Sequence, residues 1–353
     1  MLSVARSSAA AASVGHLALF AGGRLQNSSY TDVVDIYDRE SNKWSTAHLS
    51  ANRSGVGAGT LAGRYALFAG GHDAKFRPMS LVDVFDSQTK QWSQIHLHTP
   101  RASPRLLDLG NVTAVVGGLS GDLQYLSRAV EYIDARLSVS APASLGGGYP
   151  QLGIPMVDRG RGIGLYTSGY QNNRPGDRFN DFQPSNQTTT FTASGSAAEL
   201  TAGPVFPSPR WGAGGAAAEG VFVVGGGHTF NDGTDGGSLT SVTDRVDVYR
   251  AAERKWSSTP LRLSVPRDYP LVQVVGRYIV FASGTQQSKD LDIFDLQAHA
   301  FVQNLQHRPA LHTLRSDAVA VTVDNCLLVI AGGTVYQGRN TTASVEFFDA
   351  CPK

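Results

Sequence analysis

Residues 16–23 read HLALFAGG and residues 64–71 read RYALFAGG. The same apolar run closed by glycine returns at 112–118 (VTAVVGG), 164–169 (GLYTSG), 221–227 (VFVVGGG), 278–284 (YIVFASG) and 326–333 (CLLVIAGG). The closing glycines are 48, 47, 51, 58, 57 and 49 residues apart, so the 353-residue chain divides into seven units of about 50 residues. Five or six continuous aliphatic and β-branched residues suit a strand covered on both faces. The glycines that follow allow a close backbone approach and a turn with positive φ.

Six of the seven units carry a second run: VVDIYD (33–38), LVDVFD (81–86), AVEYID (129–134), RVDVYR (245–250), DLDIFD (290–295) and SVEFFD (344–349). These runs alternate as strands do, and their terminal aspartates (Asp38, Asp86, Asp134, Asp295, Asp349) suit side-chain-capped turns. Trp44, Trp92 and Trp256 close three units and Phe301 takes that place in a fourth, where a large apolar ring can pack on a neighbouring sheet. Arg6, Arg53, Arg105, Arg210, Arg267 and Arg315 open six units. The fourth unit has Ser168-Gly169 for the glycine pair, lacks the arginine and the acidic run, and holds a polar insert at 170–186.

Composition agrees with many short strands. The 39 glycines are about 11% of the chain against an average near 7%, and charged residues are 17% against about 25%. A net charge of +1 argues against a nucleic-acid partner, and no apolar run approaches the length of a membrane span.

The recurring Gly-Gly, Tyr-Asp and spaced Trp pattern resembles the kelch family over nearly the whole chain. The resemblance implies an all-β fold, a seven-bladed β-propeller of four-stranded antiparallel blades at about 5–50, 51–99, 100–146, 147–203, 204–261, 262–310 and 311–353, forming one domain. Six blades plus a degenerate region is the competing count. Leu2-Ser3-Val4-Ala5-Arg6 matches Leu49-Ser50-Ala51-Asn52-Arg53, so residues 1–4 are expected to add a stub of strand to the last blade and close the ring.

In kelch modules of ubiquitin-ligase adaptors, the face carrying the second-to-third-strand loops binds acidic peptides. That resemblance implies a non-catalytic interaction module in which Arg6, Arg53, Arg105, Arg210, Arg267 and Arg315 rim the channel mouth and fork onto carboxylates of a protein or peptide. Arg53 and at least two others are then expected to reach solvent. The competing expectation is that each arginine is structural, held by the repeated acids Asp35, Asp83, Glu131, Asp247, Asp292 and Glu346. His72 and His228 follow the glycine pair in blades two and five and are further binding candidates. Kelch rings also house copper radical oxidases of the galactose-oxidase type and sialic-acid mutarotases, so a carbohydrate binder or sugar-modifying enzyme is the alternative. The two cysteines flank strands of one unit, which argues against the copper chemistry. The sequence contains no zinc spacing, phosphate loop or nucleophile motif, and no cofactor is expected.

Two further segments are candidates. Asn231, Asp232 and Asp235 loosely resemble a calcium loop that lacks its closing glutamate. The insert mixes aromatic residues with Arg174, Asp177, Arg178 and Asp181. Cys326 and Cys351 can meet if strands 326–332 and 344–350 pair antiparallel, forming either a disulfide or two reduced thiols. Sequons at Asn27, Asn52, Asn111, Asn186 and Asn340 lean toward secretion, while a cytoplasmic location stays open.

Overall fold

The computed structural model describes residues 1–121, 123, 125–145, 152–171, 183–230, 239–257, 259–285, 287–303, 309–335 and 340–351. The calcium-like loop and residues 172–182 of the insert, with Arg174, Asp177, Arg178 and Asp181, lie outside the described residues.

The fold is all-β, built from antiparallel sheets, several of them of four strands. The first sheet runs Ala10–Val14, Leu17–Ala21, Val33–Asp38 and Lys43–His48; the second runs Gly57–Leu61, Tyr65–Ala69, Leu81–Asp86 and Trp92–His96. Each apolar run of the sequence is the second strand of its sheet. Leu17–Ala21 and Val112–Val116 are buried at every position because a sheet lies against each face. The fourth unit's third strand is Thr188–Ser194, TTTFTAS, which carries no acid and so escaped the sequence pattern. Its threonines are β-branched, and the Thr167 and Thr188 hydroxyls bond to each other at 2.7 Å inside the sheet.

First strands lie side by side from unit to unit. Ala10–Val14 neighbours Gly57–Leu61, followed by Arg105–Asp108, Leu152–Asp158, Gly214–Ala218, Leu271–Val275 and Val319–Val323, which neighbours Ala10–Val14 again. At that last junction Leu2 is buried, and its N–H donates to Ala343 O at 2.8 Å, as Leu49 N–H donates to Asp32 O at 2.7 Å. Gln26 also reaches Asn340 and the Thr341 N–H across the same junction. Residues 2 and 6 thus bond to the segment just before the last unit's third strand, Val345–Asp349, but residues 1–4 form no strand, so the expected stub is not seen. Cys326 and Cys351 form a disulfide that ties the two ends of that unit.

The aspartates that end the third strands cap the following turns. Asp38 Oδ1 accepts the Glu40 and Ser41 N–H groups, and Asp86 Oδ1 accepts that of Gln88. The hydrogen bond from Arg64 pulls the Asp86 pKa well below the usual carboxylate range. A carboxylate depressed on folding contributes stability that is full above its unfolded pKa and is lost as pH falls through its folded value. Asp86→Asn should therefore lower the melting temperature at pH 7 and flatten the acid-side decline that begins near pH ~4, read from thermal melts between neutral and acid pH.

Candidate functional site

Five of the six arginines expected at the rim are buried, and the sixth is a different kind of residue. Arg6, Arg53, Arg210, Arg267 and Arg315 are at most 1% exposed and pair with Asp35, Asp83, Asp247, Asp292 and Glu346. In the third unit Arg101, not Arg105, takes this place and pairs with Glu131. The spacing Leu97-x-x-x-Arg101, identical to Leu49-x-x-x-Arg53, carried that register; a second arginine four residues on obscured it. The rim expectation is thus corrected: these arginines hold the fold and do not face solvent.

Their burial has a local cause. At the glycine pair the guanidinium adds donors to carbonyls of both the second and the third strand, Leu81 O among them, which also accepts the Gly70 N–H at 2.8 Å. Arg53 donates to Gly70 O at 2.9 Å, Leu81 O at 3.1 Å and Phe68 O at 3.2 Å as well as to Asp83, and Arg267 likewise spans Ser283 O, Asp290 O and Asp292. Only a guanidinium offers enough donors in a fixed fork for this set. The acid also accepts the backbone N–H three residues before the arginine, as in Ser3 to Asp35, Ser50 to Asp83 and Ser264 to Asp292. In the fifth unit that position is Pro207, which has no N–H, and Arg245 takes the acid's second oxygen instead. Burial holds the Arg6, Arg53, Arg101, Arg210 and Arg315 pKa values below the ordinary arginine value, against the pull of the facing carboxylates.

The arginine backbone faces the preceding unit. Arg53 O accepts the Gly23 N–H at 3.1 Å, and a Cβ on Gly22, whose φ is +62°, would lie 2.8 Å from that oxygen. Where serine replaces the first glycine it keeps the positive φ, and its hydroxyl takes over the contact: Ser168 Oγ with Arg210 N and O, Ser283 Oγ with Arg315 O. Gly22→Ala should cost about 2–4 kcal/mol in denaturant unfolding, from left-handed strain plus the carbonyl contact.

Two residues beyond each buried arginine the chain turns left-handed, at Ser8, Gly55, Ser103, Gly212, Tyr269 and Asp317. Hydrogen bonds join these positions between units: Ser8 N–H to Asp317 O, Ser103 N–H to Gly55 O, and Tyr269 N–H to Gly212 O. The arginine repeat therefore marks one end of the sheets, while the residue two places on is presented there. Ser8 and Asp317 are exposed and Tyr269 is 50% exposed. A bulky aromatic at φ +48° is a costly conformation, retained because its surroundings fix it. A Cβ on Gly212 would come within 3.0 Å of the Tyr269 ring, so glycine there makes room for the tyrosine. The Tyr269 ring meets Trp211 edge-on at 5.7 Å.

Two cavities adjoin Tyr269 and Asp317. One, of about 740 Å³, is bordered by Asp268, Thr285, Gln287 and Ser316. The other, of about 350 Å³, reaches Ser8 and Arg105. Arg105 opens a first strand, is partly buried, and its Nε is enclosed with no hydrogen-bond partner among the described residues. A third cavity of about 330 Å³ is lined by residues of all seven first strands and reaches Asp108, whose pKa burial raises against the pull of Arg159.

The two histidines sit in different settings. His72 pairs with Ser54 through its backbone and packs edge-on against Tyr30 at 5.1 Å and over Phe76 at 5.5 Å. His228 lies with Nε2 3.0 Å from Oδ1 of Asp268, which borders the larger cavity. Sequence reasoning missed Tyr269 and Asp317; the signal was their fixed offset from the arginine. Among the described residues no three His, Cys, Asp or Glu side chains gather as metal ligands. Among the described residues no helix is long and apolar enough to cross a membrane. No protein-family model and no curated protein matches the chain.

Arg53→Ala should cost about 3–5 kcal/mol of unfolding free energy, because Asp83 would remain buried without its partner. Arg53→Ala with Asp83→Ala should recover part of that loss, measured by a double-mutant cycle.

Proposed function

We propose that the seven repeat units are the blades of a seven-bladed kelch-type β-propeller, and that it is a non-catalytic binding module whose ligand, a carbohydrate, sits at the mouth marked by Tyr269 and Asp317. The ring is supported by the first-strand order that returns from Val319–Val323 to Ala10–Val14, and by the cavity that all seven first strands line.

The ligand class rests on one observation: a half-exposed tyrosine, held in a strained left-handed turn, beside a cavity edged by carboxylates, an amide and hydroxyls. Sugars offer apolar C–H faces to aromatic rings, and their hydroxyls bond to such carboxylates and amides. The acidic-peptide reading keeps Arg105 as its support, since the other five expected arginines are consumed by the framework and Asp268 and Asp317 would repel a polyanion. The disulfide and the five exposed sequon asparagines favour an oxidising, secretory compartment.

A glycan array with wild type and Tyr269→Ala tests the reading. Wild type should bind a subset of glycans, and the variant, checked by its melting temperature, should lose about tenfold in affinity, the worth of one ring contact. Absence of glycan binding together with Arg105-dependent capture of acidic peptides would replace it with the peptide reading.

A further inference from the structure

Arg105 is a charge that the framework does not use. Four residues after each buried arginine a first strand opens, and at that place the sister units carry Ala10, Gly57, Gly214, Leu271 and Val319, none with a polar side chain. Arg105 stands there in the third unit, paired across the sheet with the buried Val116. A position that five units fill with small or aliphatic residues needs no cation for folding. The six buried anchor arginines each meet a carboxylate, and Arg105 does not. Among the described residues no acid lies within ion-pair reach of it, and its Nε is enclosed without a hydrogen-bond partner. Tyr166, in the fourth unit, lies close enough to feel its charge but supplies no anion: burial pushes that phenol up to about 12, and its oxygen accepts the Gly153 N–H at 2.7 Å. A guanidinium partly withdrawn from water with no counter-charge is costly, and an anion brought beside it offsets that cost.

The surroundings set the rest of the ligand. The chamber of about 350 Å³ beside Arg105 is walled largely by glycine and aliphatic residues, Gly153, Ile154, Gly214, Leu271 and Val319 among them. That volume is at the small end of the range for ligand pockets, so it admits a single ring and not a chain. Ser8, Tyr269 and Asp317 also line it, and Tyr269 and Asp317 border the outer cavity of about 740 Å³ as well. Asp317, with Asp268 in the outer cavity, opposes any second negative charge on the ligand.

We propose that this chamber takes the terminal residue of a glycan and that this residue is a uronic acid, its carboxylate forked on Arg105, its hydroxyls bonded to Ser8 and Asp317, and the remainder of the glycan lying past Tyr269 in the outer cavity. The inference rests on the carbohydrate reading above and adds the ligand's charge and the end that enters. A guanidinium fork fits a carboxylate with two parallel bonds, and no described residue occupies the donors of Arg105. One anionic group matches one cation faced by acids across the mouth; a polyanionic peptide does not.

Matched methyl glycosides are the probes: glucuronoside against glucoside and galacturonoside against galactoside, titrated into the full chain by calorimetry. At least one uronoside should bind at least tenfold more tightly than its neutral partner. Arg105→Gln, checked by its melting temperature, should bring the two to equal affinity without changing that of the neutral sugar, and Arg105→Lys should keep part of the preference. Tyr269→Ala should weaken both members alike. In the wild type, independent of any variant's folding, the Arg105 Nε–H resonance should shift with the uronoside and stay in place with the neutral sugar. Equal binding of acidic and neutral sugars, a preference that survives Arg105→Gln, or glycan-array ligands without a terminal uronic acid would each overturn the uronic-acid assignment and leave the carbohydrate reading standing. No binding of the four glycosides or of any arrayed glycan would overturn both, and capture of a peptide rich in aspartate and glutamate, lost in Arg105→Gln, would then put a protein segment in the chamber.

Discussion

The buried arginine is the constraint on which the rest depends. A charged side chain withdrawn from water is costly, and here it is tolerated because each guanidinium meets a carboxylate and backbone carbonyls at the end of the second and third strands. The same residue turns its own carbonyl to the glycine pair of the preceding unit. One arginine thus fastens two strands within a sheet and one sheet to the next. The requirement for glycine, or for a serine whose hydroxyl can bond to the arginine backbone, follows from the closeness of that approach.

Because six units repeat this fastening, the residues just beyond it can vary without loss of the framework. The turn two residues after the arginine is left-handed whether the side chain is serine, glycine, tyrosine or aspartate. A constant anchor followed by a variable, outward-facing position is how a rigid β scaffold carries recognition on its loops. In this chain the variable position gathers an aromatic ring and a carboxylate on neighbouring units, with a second carboxylate, Asp268, beside them.

Much of the framework was legible in the sequence. The apolar runs, the acidic third strands, the capping aspartates and the tryptophans lie in strands and turns of the kinds their chemistry requires, because each is set by local periodicity or by one turn geometry. Two things were obscured. Thr188–Ser194 forms a third strand without the acidic pattern, since its unit has no arginine to pair. Arg105 was placed with the anchors because a second arginine stood four residues away and only packing separates the two.

The sequence by itself determined that the chain is all-β and built on a recurring unit of about 50 residues, since strand periodicity and glycine spacing are local properties. It also showed an arginine and an acid recurring together. Whether those arginines faced a ligand or the interior was a question of burial, which depends on residues distant in the chain coming within hydrogen-bond range. Tertiary structure alone decided that they face inward and that Tyr269 and Asp317 are presented in their place.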